Sequence, residues 1–414
     1  MKLYYGWYMV AIGGLALSLS IGATTQVFGL FVLPVSGEFG LTRSEMNTGA
    51  ILLNVGMAVA GPVLGRILDR RSARLMMAGS ALLLGASLAA LGISRNIWLS
   101  AAIIAVPLAV AVVGCGTVTS PTLVARWFTV HRGRAMAITI MGISLGPIIV
   151  VPLISQLVGA IGWRHTLMSS GVGVSVLLLL LSLFVRERPG PDDVEVRSDR
   201  VEVRPPAEGG DGMRPLGMGE LLRLPQFWTI ALGTALACGI MQVVIVSLVP
   251  YGQGQGLSLT EAASLMSMFG LSSITGTLLL AWQGDRFDRL TLLVVQLALL
   301  APIAASLLFA TTYPAMLACV GVFGVVGGTI TPVSLALLAD RFGAASFGTA
   351  SGTSSFLSTV VGATNIRAAG EIFDRTGSYR LMFISFLIIG LLAALIMFAT
   401  TLLSHPPRAG RQWR

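Results

Sequence analysis

"GRILDRRSAR", residues 65–74, interrupts an apolar run with five charged side chains in ten positions. Alone it is a polar turn between two hydrophobic segments. Its weight comes from "WQGDRFDRL", residues 282–290, where Asp69-Arg70 recurs as Asp285-Arg286, 216 positions later. Two more pairs keep nearly the same register. "LVARWFTVHRGRAMA" (123–137) stands opposite "LLADRFGAASFGTAS" (337–351), 214 positions on. Arg164 of "GAIGWRHTLM" (159–168) stands opposite Arg380 of "RTGSYRLMF" (375–383), 216 on. Three matches in one register describe a chain built of two parallel repeats.

Between these polar stretches the chain is apolar. Of its 414 residues, 55% are hydrophobic and 11% charged, against about a quarter charged in a soluble domain. Twelve apolar runs, each near the ~20 residues that cross a bilayer as helix, lie at roughly 8–33, 46–66, 75–93, 98–125, 134–158, 165–185, 226–250, 262–282, 290–310, 315–338, 347–370 and 381–403. They do not alternate in polarity over ~10 residues as barrel strands do. The sequence therefore reads as an all-α polytopic membrane protein, with twelve transmembrane helices in two pseudo-symmetric six-helix halves and the lipid bilayer as its main solvent. The first run is too long for a cleaved signal peptide and has no small-residue cleavage site after a short core, so it stays as span 1.

The pattern stops once. From Arg186 the sequence reads "RERPGPDDVEVRSDRVEVRPPAEGGDGMRP", whose prolines, glycines and mixed charges cannot bury enough surface to fold. Residues 1–185 thus form the N-terminal half, 186–225 a linker, 226–404 the C-terminal half and 405–414 a tail. Two such repeats suit a carrier that rocks about a central site.

Net charge is +9, but the location of the charge argues against nucleic acid. With the N-terminus cytoplasmic, 21 of the 27 basic residues fall in cytoplasmic segments. Five fall outside: Arg43, Arg95, Arg164, Arg375 and Arg380. This bias predicts an inner-membrane protein with both termini and the linker cytoplasmic. Arg367, inside a span, belongs to neither group.

Enzymatic readings find no support. His131, His165 and His405 sit in loops or the tail without zinc-type spacing, so no metal site is expected. "GCGTV" (114–118) lacks the third glycine of a dinucleotide loop, and no cofactor is expected. Cys115, Cys238 and Cys319 lie in apolar runs and read as small packing residues.

Arg367, in "STVVGATNIRAAGEIFD" (358–374), is the sharpest signal. A charge at the bilayer centre costs ~2.5–3.5 kcal/mol on insertion scales and marks function by default. The repeat register sets it opposite Val151–Leu153, near the middle of span 5. Counting from Glu371 instead puts it one turn, ~6 Å, from the outer edge. The register is the preferred guide, because both halves cross the same bilayer. Either Arg367 binds an organic carboxylate, whose two oxygens its planar fork matches, or it pairs with Glu371 four residues on. Thr25, Gln26, Asn54, Thr119, Gln242 and Asn365 are further polar groups in apolar helices, each needing a hydrogen-bond partner in a neighbouring helix or in a substrate. Tyr251 ends span 7 as an interface aromatic or a gate. Arg126 either enters the cavity floor or pairs with Asp340 across the pseudo-symmetry axis. Gly146-Pro147 bends span 5.

Taken together, Gly65, Asp69, Arg70, Arg71 and Arg74 between spans 2 and 3, with the echo at Asp285 and Arg286, resemble the signature loop of the major facilitator superfamily over nearly the whole chain. Ser72 replaces the signature's second glycine. The resemblance implies the major facilitator fold and a cytoplasmic latch formed by Gly65, Asp69, Arg70, Arg74, Asp285 and Arg286 against helix ends of the opposite half. "YYGWYMV", "TSPTLVARWFTVHRGRAMAI", "LVPYGQGQGLS" and "GEIFDRTGSYRLMF" are similar to the monocarboxylate transporter group and the oxalate/formate exchangers. The exchangers also place a basic residue in span 11. The monocarboxylate carriers' lysine in span 1 is absent, with Thr24, Thr25 and Gln26 in its place, and span 8 has no ionisable residue between Glu261 and Asp285. Their coupling machinery therefore does not carry over. All acidic residues can be placed outside the helix centres, and exchange is expected to outrun net flux. The expected protein is a monomeric secondary transporter of a small organic anion, mono- or dicarboxylate. The alternatives are an exporter of amphipathic, drug-like compounds and a non-transporting membrane sensor on the same fold.

Overall fold

A computed structural model describes residues 4–128, 131–187, 218–283 and 288–403. The linker positions 188–217, the echo residues Asp285 and Arg286, His405 and the tail lie outside the described residues. Among the described residues, every regular element is helical, and nine stretches are long and apolar enough to cross a bilayer. One of them, Gly133–Leu183, holds spans 5 and 6. Its helix Arg132–Leu183 has 52 residues, ~78 Å at 1.5 Å per residue, against a hydrocarbon core of ~30 Å. The chain turns at Gly162, whose φ of 76° and ψ of 163° a side chain would oppose. Tyr313–Thr376, 64 residues, carries spans 10 and 11 in one helical run, with helix where a loop at 339–346 is expected. Arg380–Leu403 is span 12. Span 1 begins and span 12 ends on one face of the bundle, the near face; the opposite one is the far face.

Prolines shape the interior. A proline has no N–H for the carbonyl four residues back, and lipid offers no water to replace it. Pro147 leaves the Ile143 carbonyl open, and Gln26 of span 1 donates its Nε2 to that oxygen at 3.0 Å. Gly146 and Gly142 let span 1 come this close. A Cβ on Gly146 would run into Gln26 Oε1, and one on Gly142 into the Gly14 carbonyl. The C-terminal half repeats the device. Pro332 opens the Gly328 carbonyl, which shares the Thr277 hydroxyl proton of span 8 at 3.2 Å with the Ser273 carbonyl at 2.9 Å. Extra residues are absorbed by π-helical turns at Gly22–Gln26, Ile104–Leu108 and Val113–Thr117. Thr119 Oγ1 donates to the Gly114 carbonyl at 2.6 Å in the last of these.

The near-face corners of the two halves correspond but reverse their charges. In the N-terminal half, Glu187 at the start of the linker accepts from Ser72 Oγ and from the N–H groups of Ala73 and Arg74, both at 3.1 Å. It also pairs with Arg126 at 3.0 Å, whose Nη2 donates to the Leu68 carbonyl at 2.8 Å. One carboxylate thus meets the positive start of span 3 and a guanidinium. Burial opposes its charge, but hydrogen bonds from Ser72, Arg74 and Ala73, with the Arg126 charge, hold its pKa below the ordinary range. In the C-terminal half, Arg289 at the start of span 9 pairs directly with Asp340 at 2.7 Å. Arg126 and Asp340 therefore do not pair with each other, because each is neutralised inside its own half. The role of the linker is likewise more than tethering, since Glu187 fastens three elements.

The signature loop is shorter than its sequence implies. Arg43–Arg70 is one helix, so Gly65, Asp69 and Arg70 lie on its final turns, and Ser72 caps Ala73–Ile93 by accepting from the Leu75 N–H. Basic residues suit a helix C-terminus.

Gln26→Leu should cost about 1–3 kcal/mol, because it strands the buried Ile143 carbonyl. In a Pro147→Ala background, where residue 147 regains an N–H for that carbonyl, the cost should be clearly smaller. A double-mutant cycle on unfolding in detergent measures the difference.

Candidate functional site

The two halves are joined at the far face. Span 2 starts at Thr42, which forms a capping box with Glu45. Its next two N–H groups, of Arg43 and Ser44, donate to Asp374 Oδ1 and Oδ2 at 2.7 and 2.8 Å. A carboxylate from the end of span 11 thus fills the N-terminal turn of a helix in the other half, where orphan donors and the helix dipole favour an anion. One turn deeper, Asn47 Nδ2 donates to the Ile366 carbonyl at 3.0 Å. Gly370 permits this proximity, since a Cβ there would lie 2.6 Å from Ser44 Cα. Arg367 Nη1 donates to the Ser44 carbonyl at 3.1 Å and to Thr48 Oγ1 at 3.0 Å. Arg43 lies over the Phe373 ring, 5.2 Å from its centroid. Deeper still, spans 5 and 8 touch through Ser267 Oγ to the Pro147 carbonyl at 2.9 Å and Ser144 to Ser273 at 3.3 Å. The near-face ion pairs Arg126–Glu187 and Arg289–Asp340 stay within single halves. The far face is closed.

This geometry corrects the depth of Arg367. Its guanidinium meets the first turn of span 2, so it sits about one turn from the far face, not at mid-membrane. The depth is set by where span 2 begins in the opposite half, after its N-cap Thr42, and the repeat register does not contain that information. The Arg367 side chain is 49% exposed, and its Nε lies 3.8 Å from Glu371. Glu371 is closer to Arg375, at 2.7 Å.

The other candidates do not converge on Arg367. Thr25 and Asn54 donate to carbonyls four residues back, Ile21 at 3.1 Å and Ala50 at 2.9 Å. Thr119 and Gln26 repair backbone as described, while Gln26 Oε1 is buried without a partner among the described residues. Gln242 and Asn365 meet glycines where spans 7 and 11 cross: a Cβ on Gly362 would lie 2.5 Å from Gln242 Oε1, and one on Gly239 would strike Asn365 Nδ2. Tyr251 is buried in the C-terminal half, donating to the Leu307 carbonyl at 2.7 Å and packed edge-on against Tyr379 and Phe383. It supports that half and does not bridge to the other. An apolar pocket of 340 Å³ lies within the N-terminal half, lined by Val27, Phe28, Phe31, Leu52 and Trp98 among others. Its one charged side chain, Glu45, is engaged in the capping box.

Asp374 and Asn47 join the two halves, and the sequence reading misses both contacts. The signal was present: Arg367, Gly370, Glu371 and Asp374 follow i, i+3, i+4, i+7 spacing and share one helix face. The Asp374 carboxyl is partly buried, which opposes its charge, but hydrogen bonds from the Ser44 and Arg43 N–H groups and from the Ser44 and Thr42 side chains hold its pKa below the ordinary range.

A family model described as Major Facilitator Superfamily matches residues 10–364 and 230–412. Monocarboxylate transporter 12 of Rattus norvegicus is 23% identical over 410 residues, 92% of this chain and 82% of that protein. An oxalate:formate antiporter of Oxalobacter formigenes is 26% identical over 269 residues, 64% of this chain and 60% of that protein. Among solved structures, a bacterial homologue of the human lysosomal transporter Spinster, in an inward-facing unoccupied conformation, aligns with a TM-score of 0.73 at 16% identity, covering 99% of this chain and 100% of that one.

Asp374→Ala should loosen the far-face seam. After allowance for solvent screening of a partly exposed group, a shift of about tenfold toward the open state, roughly 1.4 kcal/mol, is expected. Spin labels on cysteines at Gly37 and Gly254, positions with open space around them, would report it as a larger population at long distance. Acid should act in the same direction. Closure that relies on this lowered carboxyl is fully present above the ordinary aspartate range near ~3.9 and is lost as far-face pH falls through the lowered value.

Proposed function

We propose that this chain, which belongs to the major facilitator superfamily, carries a small organic anion, a mono- or dicarboxylate, by alternating access in the inner membrane. The near face is cytoplasmic on this reading, in line with the 21 basic residues of the near-face segments. The superfamily is one of transporters, so the protein is a membrane transporter and no enzyme.

One observation carries the anion reading. Arg367 belongs to the C-terminal half, and both its hydrogen-bond acceptors, the Ser44 carbonyl and Thr48 Oγ1, belong to the N-terminal half. When the far face opens, these acceptors leave with span 2. The guanidinium then faces the opening beside Glu371, which is itself shared with Arg375. A carboxylate suits that exposed fork. As the seam re-forms, Ser44 and Thr48 compete for the same Nη1 and displace the anion toward the interior. Arg367 acts as a receptor at the gate on this reading, in place of a counter-ion at the centre.

Exchange is supported by two points, neither of which needs a bare charge at Arg367, since its guanidinium is hydrogen-bonded in the closed state. Among the described residues Glu38, Glu45, Glu261, Glu371 and Asp374 lie toward the far face, and Asp69, Glu187, Glu220, Asp288 and Asp340 toward the near face, which leaves no carboxylate at mid-depth to carry a proton. The oxalate:formate antiporter is also among the relatives. The latch of Gly65, Asp69, Arg70 and Arg74 with Asp285 and Arg286 is retained as part of the proposal, closing the near face when the far face opens.

Uptake of labelled formate, lactate and oxalate into proteoliposomes tests the reading. Saturable uptake of at least one anion is expected, accelerated several-fold by preloading. Arg367→Ala should reduce it more than tenfold and Arg367→Lys less, because a point charge replaces a fork. Influx of one proton per anion without acceleration by preloading would reject exchange. Saturable transport of amphipathic compounds alone would identify an exporter, and ligand-induced stabilisation without any transport would identify a sensor.

A further inference from the structure

A second polar site lies on the far face, apart from Arg367. A cavity of 670 Å³ opens between Arg43 at the start of span 2, Gln253 at the end of span 7, and Ser378, Tyr379 and Arg380 at the start of span 12. Two arginines and no acidic residue line it. Arg43 Nη1 and Gln253 Oε1 are both buried, and neither has a hydrogen-bond partner among the described residues. Neither Arg43 nor Arg380 enters an ion pair among the described residues.

Arg43 is also held in place. Its backbone N–H is fixed on Asp374 and its guanidinium lies over Phe373. A buried donor left unsatisfied loses the hydrogen bonds it made in water, and a positioned guanidinium fork matches a planar oxyanion. The Gln253 amide, turned about its last bond, presents its NH₂ to the same ligand. Water alone would satisfy the donor but leave two like charges facing one cavity.

We propose that this cavity binds a small oxyanion from the far side, and that binding holds the protein closed on that face. The state dependence follows from the lining. Arg43 and Leu33 come from the N-terminal half; the other lining residues, from Pro250 to Ile384, come from the C-terminal half. Opening of the seam carries Arg43 away with span 2, so the site is complete only when the far face is shut. A ligand that binds one of two states better shifts the population toward that state. External anion at high concentration therefore slows the return to the outward-open form, whatever the carrier moves.

The test uses the full-length protein with Cys115, Cys238 and Cys319 replaced by serine and Ser44→Cys added. Ser44 is buried in the closed seam, 8% exposed, and becomes reachable when it opens. The rate of labelling by a membrane-impermeant maleimide is read with malonate, with sulfate and with sodium chloride at matched ionic strength. Malonate or sulfate should slow labelling at least threefold relative to chloride. Arg380→Gln, which lies outside the seam, should abolish the slowing without changing the rate in chloride; Arg43→Gln should abolish it as well. Arg367→Gln should leave the slowing in place even if it eliminates transport, which separates this site from the transport reading. No slowing by either oxyanion, slowing that persists in Arg380→Gln, or slowing that disappears in Arg367→Gln would each overturn the proposal.

Discussion

Hydrocarbon offers no water to a stranded backbone carbonyl, and much of this structure answers that constraint. Each proline within a span removes one N–H, and the opened carbonyl must be met from inside the protein. Ile143 is met by Gln26 across two spans of one half, and Gly328 by Thr277 across two spans of the other. These bonds let the helices bend while remaining satisfied. They also engage polar side chains that a reading of isolated residues assigns to substrate. Gln26 and Thr119 are polar in apolar helices because the backbone beside them is irregular, which is a sufficient reason for their chemistry. What remains for function is concentrated where the halves meet.

Charge is arranged on the same logic of containment. Each half neutralises its near-face corner internally, but the two do so with opposite polarity. The start of span 3 is already positive through its free N–H groups and Arg74, and Arg126 stands beside it, so an acid has to come from outside the pair. Glu187 supplies it from the linker. In the other half Arg289 and Asp340 close the corner without help. Duplication preserved the place of the contact while its chemistry diverged.

The architecture was largely legible in the sequence. The apolar runs depend on composition, which a sequence states directly. The unbroken helix through 339–346 was less so, because nothing local distinguishes a helical connection from a polar loop. Site residues were harder. The depth of Arg367 depends on where span 2 begins in the opposite half, and no periodicity within span 11 contains that information. Asp374 was on the visible helix stripe with Arg367, but its partners are backbone N–H groups, which carry no sequence signature. Glu187 lay at the edge of a segment whose composition is that of a tether, and composition is silent about one anchored residue.

The seam's strength is what allows it to act as a gate. At least five hydrogen bonds cross it between residues 43–48 and 366–374. At a net ~1 kcal/mol each, since both partners regain water on opening, these five favour closure by about 5 kcal/mol before strain and side-chain entropy are subtracted. That figure is close to the ~5.5 kcal/mol of differential binding needed to carry a two-state equilibrium from one extreme to the other. A deeper, drier junction of the same size would lock the protein. Placing the bonds at the rim, with backbone groups of one half held by side chains of the other, keeps the gap within reach of a bound ligand.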